Sequence, residues 1–374
     1  MTFEQGPIRP PSEAESLLIR VNRNCPWNQC LFCPVYKQMK FSRRSKEEVK
    51  QDVEAMKEAA ERVKAVAMEQ GTGGSVTRQV LETVYRQEPS LLQVALWLYR
   101  GGKNVFLQDA DSMVMPAEDL AEILAFVCQQ FPTVERITTY ARSKTVARRS
   151  VEQLRQLKEA GLTRVHIGME TGHDPLLEFM RKGSTAQEHI QAGLNVKEAG
   201  LSLSEYIILG LGGTKLWREH ALDTARVLNQ IDPHFIRLRT LAVREGIPLQ
   251  EHVDSGEFQL QHDDDIVREE RLFLEHLQGS GYVVSDHILN LLEEVEGKLP
   301  GDIPYMLGVI DRYLELPEDQ RTNFRLGRRM GLYRHLADMQ DRERYYQVEA
   351  LLSGLQEEGQ DADSILTKRR GKFV

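Results

Sequence analysis

Arg136-Ile137-Thr138-Thr139-Tyr140, a helical pattern over Val151–Ala160 closed by Gly161, and then Arg164-Val165-His166-Ile167 form one strand–helix–strand unit. Strands that alternate with helical patterns pair in parallel, because the helix between them returns the chain to the starting end of the sheet. The same alternation extends in both directions. Upstream, strand Asn104–Leu107 precedes a helix over Pro116–Gln130, and Leu17-Leu18-Ile19-Arg20-Val21 reads as the first strand. Downstream come helices near Pro175–Met180 and Thr185–Ala199, strand Leu203–Leu209, a helix over Leu216–Gln230 and strand Phe235–Leu241, which ends the series. Six strands result, each but the last followed by helix. Right-handed crossovers curl such a sheet into an open or closed barrel, with ligands carried on the loops at the strand C-termini. The expected class is α/β.

The remaining chain sorts by pattern. Residues 1–16 read as an irregular lead-in. Ser45 to about Val66 is helical, with a capping box from Ser45 and Glu48. Gly71-Thr72-Gly73-Gly74-Ser75 is a flexible loop, followed by helices around Val76–Arg86 and Leu91–Arg100. Residues 263–278 read as a charged amphipathic helix whose Asp263-Asp264-Asp265 start suits the helix dipole. Residues 302–356 look mostly helical, and Lys368-Arg369-Arg370-Gly371-Lys372 is a basic tail. The expected organisation is a lead-in over 1–16, a core barrel over 17–250, a helical C-terminal region over 251–366 and a tail over 367–374.

Composition narrows the function. The 374 residues are 41% hydrophobic and 28% charged, ample for a buried core. Lys plus Arg total 48 against 56 Asp plus Glu, a net charge of −8, which argues against a nucleic-acid partner held by phosphate contacts. No apolar run is long enough to span a bilayer, and the N-terminal residues carry no signal-peptide pattern, so no membrane partner and a cytoplasmic location are expected.

Three of the four cysteines fall within nine residues: Cys25-Pro26-Trp27-Asn28-Gln29-Cys30-Leu31-Phe32-Cys33, a C-x4-C-x2-C loop just after the first strand. Three close thiolates suit zinc or an iron–sulfur cluster. Structural zinc normally takes four protein ligands in two separated pairs, and the earliest histidine is His166. A three-cysteine cluster with one open iron is therefore the better chemical fit, against a zinc loop completed by a distant His or acid. Cys128 lies on the apolar face of the Pro116–Gln130 helix and reads as a small core residue.

The cysteine loop after a first strand, Phe32 just before the last cysteine and the run of βα units resemble the radical S-adenosylmethionine (SAM) superfamily. The commonest pattern there is C-x3-C-x2-C, one residue shorter than this loop. Gly161 to Gly172, with its Gly168-Met169-Glu170-Thr171-Gly172, and the stretch from Arg181-Lys182-Gly183-Ser184-Thr185 to Gly210-Leu211-Gly212-Gly213 resemble the branch of elongator-type, methylthiotransferase-type and coproporphyrinogen oxidase-like proteins. The resemblance covers residues 15–245. It implies a partial (βα)6 TIM-like barrel with an α-helical C-terminal region. Cys25, Cys30 and Cys33 would ligate a [4Fe-4S] cluster whose fourth iron is chelated by SAM. Reductive cleavage of SAM would yield a 5′-deoxyadenosyl radical that takes a substrate hydrogen. The electron would come from a donor such as flavodoxin or ferredoxin.

The resemblance also implies a set of SAM contacts. Gln108-Asp109-Ala110-Asp111-Ser112 ends the second strand, where Asp109 or Asp111 would meet the SAM ammonium group; the alternative is a helix-entry turn capped by Asp111 or Ser112. At the third strand end, Ser143 would bond the ribose and Arg142 the carboxylate; the alternatives are a local turn hydroxyl and a surface charge. Glu170 would accept from ribose or ammonium, against a plain salt bridge, and Gly212 would lie against adenine, against an ordinary strand-to-helix turn. No residue is assigned to hydrogen abstraction. Arg237 and Arg239 share one face of the last strand and become candidates for an anionic substrate if that face is interior, or ion-pair partners if it is exterior. His287 reads as structural. The substrate is not legible. The rival readings are an iron–sulfur or haem binding or chaperone protein with this fold and no SAM turnover, and a zinc-stabilised interaction protein.

Overall fold

The computed structural model describes residues 3–359 and 365–366; the basic tail expected over 367–374 lies outside the described residues. The strands are β1 (Leu17–Arg20), β2 (Asn22–Arg23), β3 (Ser42–Arg43), β4 (Asn104–Gln108), β5 (Arg136–Ala141), β6 (Arg164–Glu170), β7 (Ser202–Leu209), β8 (Phe235–Thr240), β9 (Tyr282–Val284) and β10 (Gly297–Lys298). The helices are α1 (Lys46–Glu69), α2 (Arg78–Gln87), α3 (Leu92–Tyr99), α4 (Ala117–Gln130), α5 (Ser143–Ala147), α6 (Val151–Glu159), α7 (Asp174–Phe179), α8 (Ala186–Glu198), α9 (Gly213–Ile231), α10 (Pro248–Asp254), α11 (Asp263–Glu275), α12 (Ile303–Leu314), α13 (Glu318–Arg329) and α14 (Arg342–Glu357). No described helix is long and apolar enough to cross a membrane. Two compact units result. One comprises Met1–Asn28, Gln38–Ile167 and Ala192–Leu203, the other Gln29–Lys37, Gly168–Gln191 and Ser204–Val374.

In the first unit β1, β4, β5 and β6 lie side by side in that order, all parallel, with Leu17 opposite Val105, Val105 opposite Ile137 and Tyr140 opposite His166. The two-residue period sorts their side chains. Leu17, Ile19, Val105, Leu107, Ile137, Val165 and Ile167 occupy one face and are buried. Phe106, Gln108, Tyr140 and His166 occupy the other, where Phe106 meets Tyr140 edge-on at 4.9 Å. α1 begins in the expected capping box, Ser45 bonding Glu48 N–H and Glu48 returning to Ser45 N–H. It packs against α2, α3 and α4. β2 and β3, each only two residues, pair antiparallel with Asn22 opposite Arg43.

The lead-in is more ordered than its composition suggests. The Gln108 side chain accepts from Gly6 N–H at 2.9 Å and donates to the carbonyls of Gly6 and Ile8. Glu13, in a 3-10 turn over Pro11–Glu13, is fully buried. One of its oxygens accepts from Ser16 Oγ at 2.6 Å and Arg136 Nη2 at 3.2 Å, and the other lies 3.6 Å from His166 Nε2.

In the second unit β7, β8 and β9 are parallel neighbours and β10 closes antiparallel on β9. The parallel series therefore runs one strand beyond Phe235–Thr240. Tyr282-Val283-Val284 is too short to show a period, and only its neighbour makes it a strand. The acids that open α11 are partly a packing device rather than a solvated face. Asp264 accepts from Tyr313 Oη at 2.6 Å, Arg321 Nε at 2.9 Å and Arg325 Nη1 at 3.0 Å, while Asp263 pairs with Arg329 at 3.1 Å. Asp263 and Asp264 are buried.

Burial alone would raise the Glu13 pKa, but nearby His166, the Ser16 hydrogen bond and the Arg136 charge outweigh it and leave the acid below its ordinary value. Its stabilising contribution is complete above the unfolded value of about 4.3 and is lost as pH falls through the lower native value. Glu13→Ala should destabilise the chain by roughly 2–4 kcal/mol at neutral pH, because it strands buried partners. Urea unfolding at pH 7 and at pH 4 checks this: the gap between wild type and variant should shrink at the acid end.

Candidate active site

Cys25, Cys30 and Cys33 are in no disulfide among the described residues and are half-buried. Their loop turns through Asn24 (φ 68°) and Asn28 (φ 48°), residues whose short amide side chains tolerate the left-handed region. Asn28 N–H donates to Cys25 Sγ at 3.4 Å, and Cys33 N–H reaches the Cys30 carbonyl at 3.4 Å. In the second unit Leu31 anchors the loop: its N–H donates to Met180 O, its carbonyl accepts from Leu249 N–H, and its side chain packs with Leu176, Met180, Leu211 and Phe258. Among the described residues, no three His, Cys, Asp or Glu side chains are gathered as a ready-made ion cage. The fit to a cluster rests instead on the donor set, three reduced thiols in one loop, which is what iron–sulfur ligation requires.

In the first unit the two flanking aspartates divide. Asp109, fully buried, accepts at Oδ2 from Arg20 Nε and Nη2 at 2.9 and 2.7 Å and from Asn24 N–H at 3.0 Å. It is the anchor of the cysteine loop's entry. Asp111, equally buried, accepts from Thr145 Oγ1 at 2.6 Å through Oδ2, while its Oδ1 has no hydrogen-bond partner among the described residues. Burial pushes its pKa up to about 6, against the opposing pull of Thr145, Arg142 and Arg149. It caps nothing, so the helix-entry alternative for its side chain is not realised. Ser143 opens the short helix α5, and its buried Oγ likewise lacks a partner among the described residues. Arg142, just before it, stacks its guanidinium 5.0 Å from the Trp27 ring, inside the cysteine loop.

In the second unit Glu170 ends β6 at φ 67°. Its Oε1 accepts from Lys182 Nζ at 2.8 Å, and Lys182 in turn lies 6.0 Å from the centre of the Phe32 ring. A Cβ on Gly168 would stand 2.2 Å from that same carboxylate oxygen, so the glycine makes the room. Gly212 precedes α9, and a Cβ there would meet the Leu216 carbonyl at 2.7 Å. It borders a cavity of about 310 Å³ lined by Leu176, Phe179, Leu216 and Phe258. Arg237 and Arg239 both pair with Asp286. Cys128 is half-buried, its thiol pKa raised by burial, and sits against Gly161, where a Cβ would come within 2.6 Å of Sγ. Sequence reasoning missed the Trp27–Arg142 stack and Lys182; the only trace of the latter is its place in the Arg181-Lys182-Gly183 turn.

Comparison with known proteins matches the radical SAM superfamily over residues 19–225, more than half of the chain. An uncharacterised protein of Methanocaldococcus jannaschii is 25% identical over 181 residues, 48% of this chain and 55% of its own. A biotin synthase of Clostridium botulinum is 28% identical over 169 residues, 42% of this chain and 49% of its own. Among solved structures, the coproporphyrinogen III oxidase of Escherichia coli, a radical SAM enzyme, aligns over 70% of this chain and 52% of its own with a TM-score of 0.43 and 13% identity. The chain thus spans about half the length of the curated relatives it matches. The resemblance read from the cysteine loop is borne out: the chain belongs to the radical SAM superfamily.

Proposed function

We propose that Cys25, Cys30 and Cys33 hold three irons of a [4Fe-4S] cluster, that SAM takes the fourth, and that the enzyme abstracts hydrogen from a substrate. The observation that carries this reading is a reduced three-cysteine loop that follows β1 and β2, together with two buried polar atoms without a hydrogen-bond partner among the described residues, Asp111 Oδ1 and Ser143 Oγ, just beyond β4 and β5. When bound, the cluster supplies one electron for cleavage of the sulfur–C5′ bond, and the 5′-deoxyadenosyl group so released is the hydrogen acceptor.

The chain's own residues would bind and orient. Asp111 offers an ionisable acceptor for the SAM ammonium group, which makes it the better candidate of the two aspartates, since Asp109 Oδ2 already serves Arg20 and Asn24. Ser143 would bond the ribose. Glu170, steadied by Lys182, would accept from the ribose hydroxyls. Gly212 would let backbone lie flat on adenine. Asp109 would hold the loop's entry rather than touch SAM. The electron would arrive from a flavodoxin or ferredoxin in the cytoplasm.

The test is anaerobic reconstitution with iron and sulfide, reduction with dithionite and assay of 5′-deoxyadenosine from SAM. About four irons per chain with product is expected. A cluster with no product under any substrate would favour the binding or chaperone reading, and zinc without an iron chromophore would overturn both. Cys30→Ala should lose cluster iron while keeping its thermal unfolding transition, read by iron assay and circular dichroism. Glu170→Ala should raise the SAM Kd about tenfold with iron content unchanged, in line with a lost charge-assisted hydrogen bond. Because the Asp111 pKa is about 6, its carboxylate is neutral at pH 5 and charged at pH 7, so SAM affinity should rise across that interval. Asp111→Asn should flatten the profile in a direct binding titration.

A further inference from the structure

The register of β7 and β8 sets Tyr206 beside Arg237 and Ile208 beside Arg239. Ser204, Tyr206, Arg237 and Arg239 therefore share one face, and Leu203, Ile207, Leu209, Ile236 and Leu238 share the other, with Glu205 among them. Two guanidiniums thus stand on one face, which Ile208 and Phe235 share, with Arg239 one residue before the strand ends. They share one carboxylate. Arg237 Nη1 donates to Asp286 Oδ2 at 2.6 Å and Arg239 Nη1 to Asp286 Oδ1 at 2.8 Å. Arg237 also donates from Nε to Ser204 Oγ at 3.2 Å, and Arg239 Nη1 to its own strand at the Leu238 carbonyl.

Arg239 is left under-used. Its buried Nη2 has no hydrogen-bond partner among the described residues, and its guanidinium carbon lies 4.8 Å from the centre of the Tyr206 ring. The other buried arginine nitrogens without a partner are Nε atoms with one hydrogen each; Nη2 leaves two. The other titratable groups around the pair are accounted for. His287 is held neutral, its pKa lowered to about 4 by burial and then by the Arg239 charge, with Arg329 adding and Asp286 opposing. Arg329 is itself paired with Asp263, and the Glu296 carboxyl, raised by burial, accepts from Ser285 N–H. Asp286 remains about a quarter exposed, so the carboxylate between the two arginines faces solvent more than they do.

We propose that Arg237 and Arg239 bind a carboxylate group of this enzyme's substrate, with Asp286 as the internal carboxylate that holds the two guanidiniums until the substrate arrives. The inference rests on the radical SAM reading, under which substrate meets the chain at the strand C-terminal ends. A planar carboxylate fits because Asp286 already demonstrates the geometry, one oxygen on each guanidinium. Desolvated guanidiniums prefer such an anion, through paired charge-assisted hydrogen bonds. The incoming carboxylate would take the contacts of Asp286 or add to them through the spare Nη2.

The test uses succinate as the probe and inorganic phosphate as the comparison ion, titrated calorimetrically into the full chain. Wild type should bind succinate saturably and more tightly than phosphate. Arg239→Gln should weaken succinate at least tenfold. Asp286→Asn should strengthen it severalfold, because the competing charge is gone; a merely structural ion pair would lose stability and gain no affinity. Arg239→Lys, with an intermediate loss, serves if the glutamine variant fails to fold. Succinate affinity that is unchanged in Arg239→Gln, or not increased in a folded Asp286→Asn, overturns the proposal, as does equal affinity for phosphate throughout. The same wild-type preparation is assayed for 5′-deoxyadenosine. SAM cleavage without the anion pattern sinks only this inference; the anion pattern without SAM cleavage sinks the enzymatic reading and leaves the carboxylate site.

Discussion

One buried carboxylate fixes the entry to the cysteine loop. Asp109 has no exposure to water, and its Oδ2 accepts from two guanidinium nitrogens of Arg20 and from the backbone N–H of Asn24. Arg20 ends β1 and Asp109 follows β4, so the ion pair ties two parallel neighbours at their C-terminal ends. The lead-in must come close enough that a Cβ on Gly6 would stand 2.3 Å from the other oxygen. Removing either member of such a pair leaves an uncompensated charge in a desolvated site, a loss of about 3–5 kcal/mol. The strength of this anchor lets the loop beyond it run through left-handed asparagines with its thiols unbridged.

The second unit solves the same problem without charge. The turns after β6 and β7 expose backbone groups that no strand neighbour satisfies. His220, buried and with its pKa lowered to about 4 mainly by that burial, is neutral, so its two ring nitrogens play opposite roles. Nδ1 lies 2.7 Å from the Thr171 hydroxyl and Nε2 3.1 Å from the Ile208 carbonyl. Thr224 takes the Gly172 N–H at 2.9 Å, and Glu269 takes the Gly210 N–H at 2.8 Å. Burial pushes Glu269 up to about 8, so at neutral pH it is an uncharged acceptor. One neutral network thus fixes the turn that follows Glu170 and the turn that contains Gly212.

The parts of this arrangement that the sequence announces are those with a local signal. The long periodic helices and the six principal strands lie within a few residues of their expected bounds, because burial on one face imposes a period over many residues. β2, β3, β9 and β10 are two or three residues long and exist only through their partners. The three cysteines are legible because they are neighbours in the chain. Lys182 beside Glu170, Trp27 under Arg142 and Glu269 beside Gly210 are 12, 115 and 59 residues apart, and no pattern along the chain encodes such meetings. Asp109 and Asp111 could not be separated in the sequence for the same reason: the distinction is which of them Arg20 captures, and that is decided by strand register.

The same logic separates buried acids that need a partner from those that do not. Glu205 is fully buried with neither carboxyl oxygen hydrogen-bonded among the described residues, yet burial, with the nearby Glu170 charge, raises its pKa well above the ordinary range, against the pull of Lys182. It escapes the penalty of a desolvated charge by keeping its proton. Asp111 stops near 6 because Thr145, Arg142 and Arg149 pull it back, so at neutral pH it carries a charge, and its Oδ1 has no hydrogen-bond partner among the described residues. A buried group that stays charged with an open acceptor is in deficit by the hydrogen bonds it lacks, and a cationic ligand group is what removes that deficit. The environment that leaves Asp111 ionised therefore makes it a better receptor for an ammonium group than the equally buried Glu205.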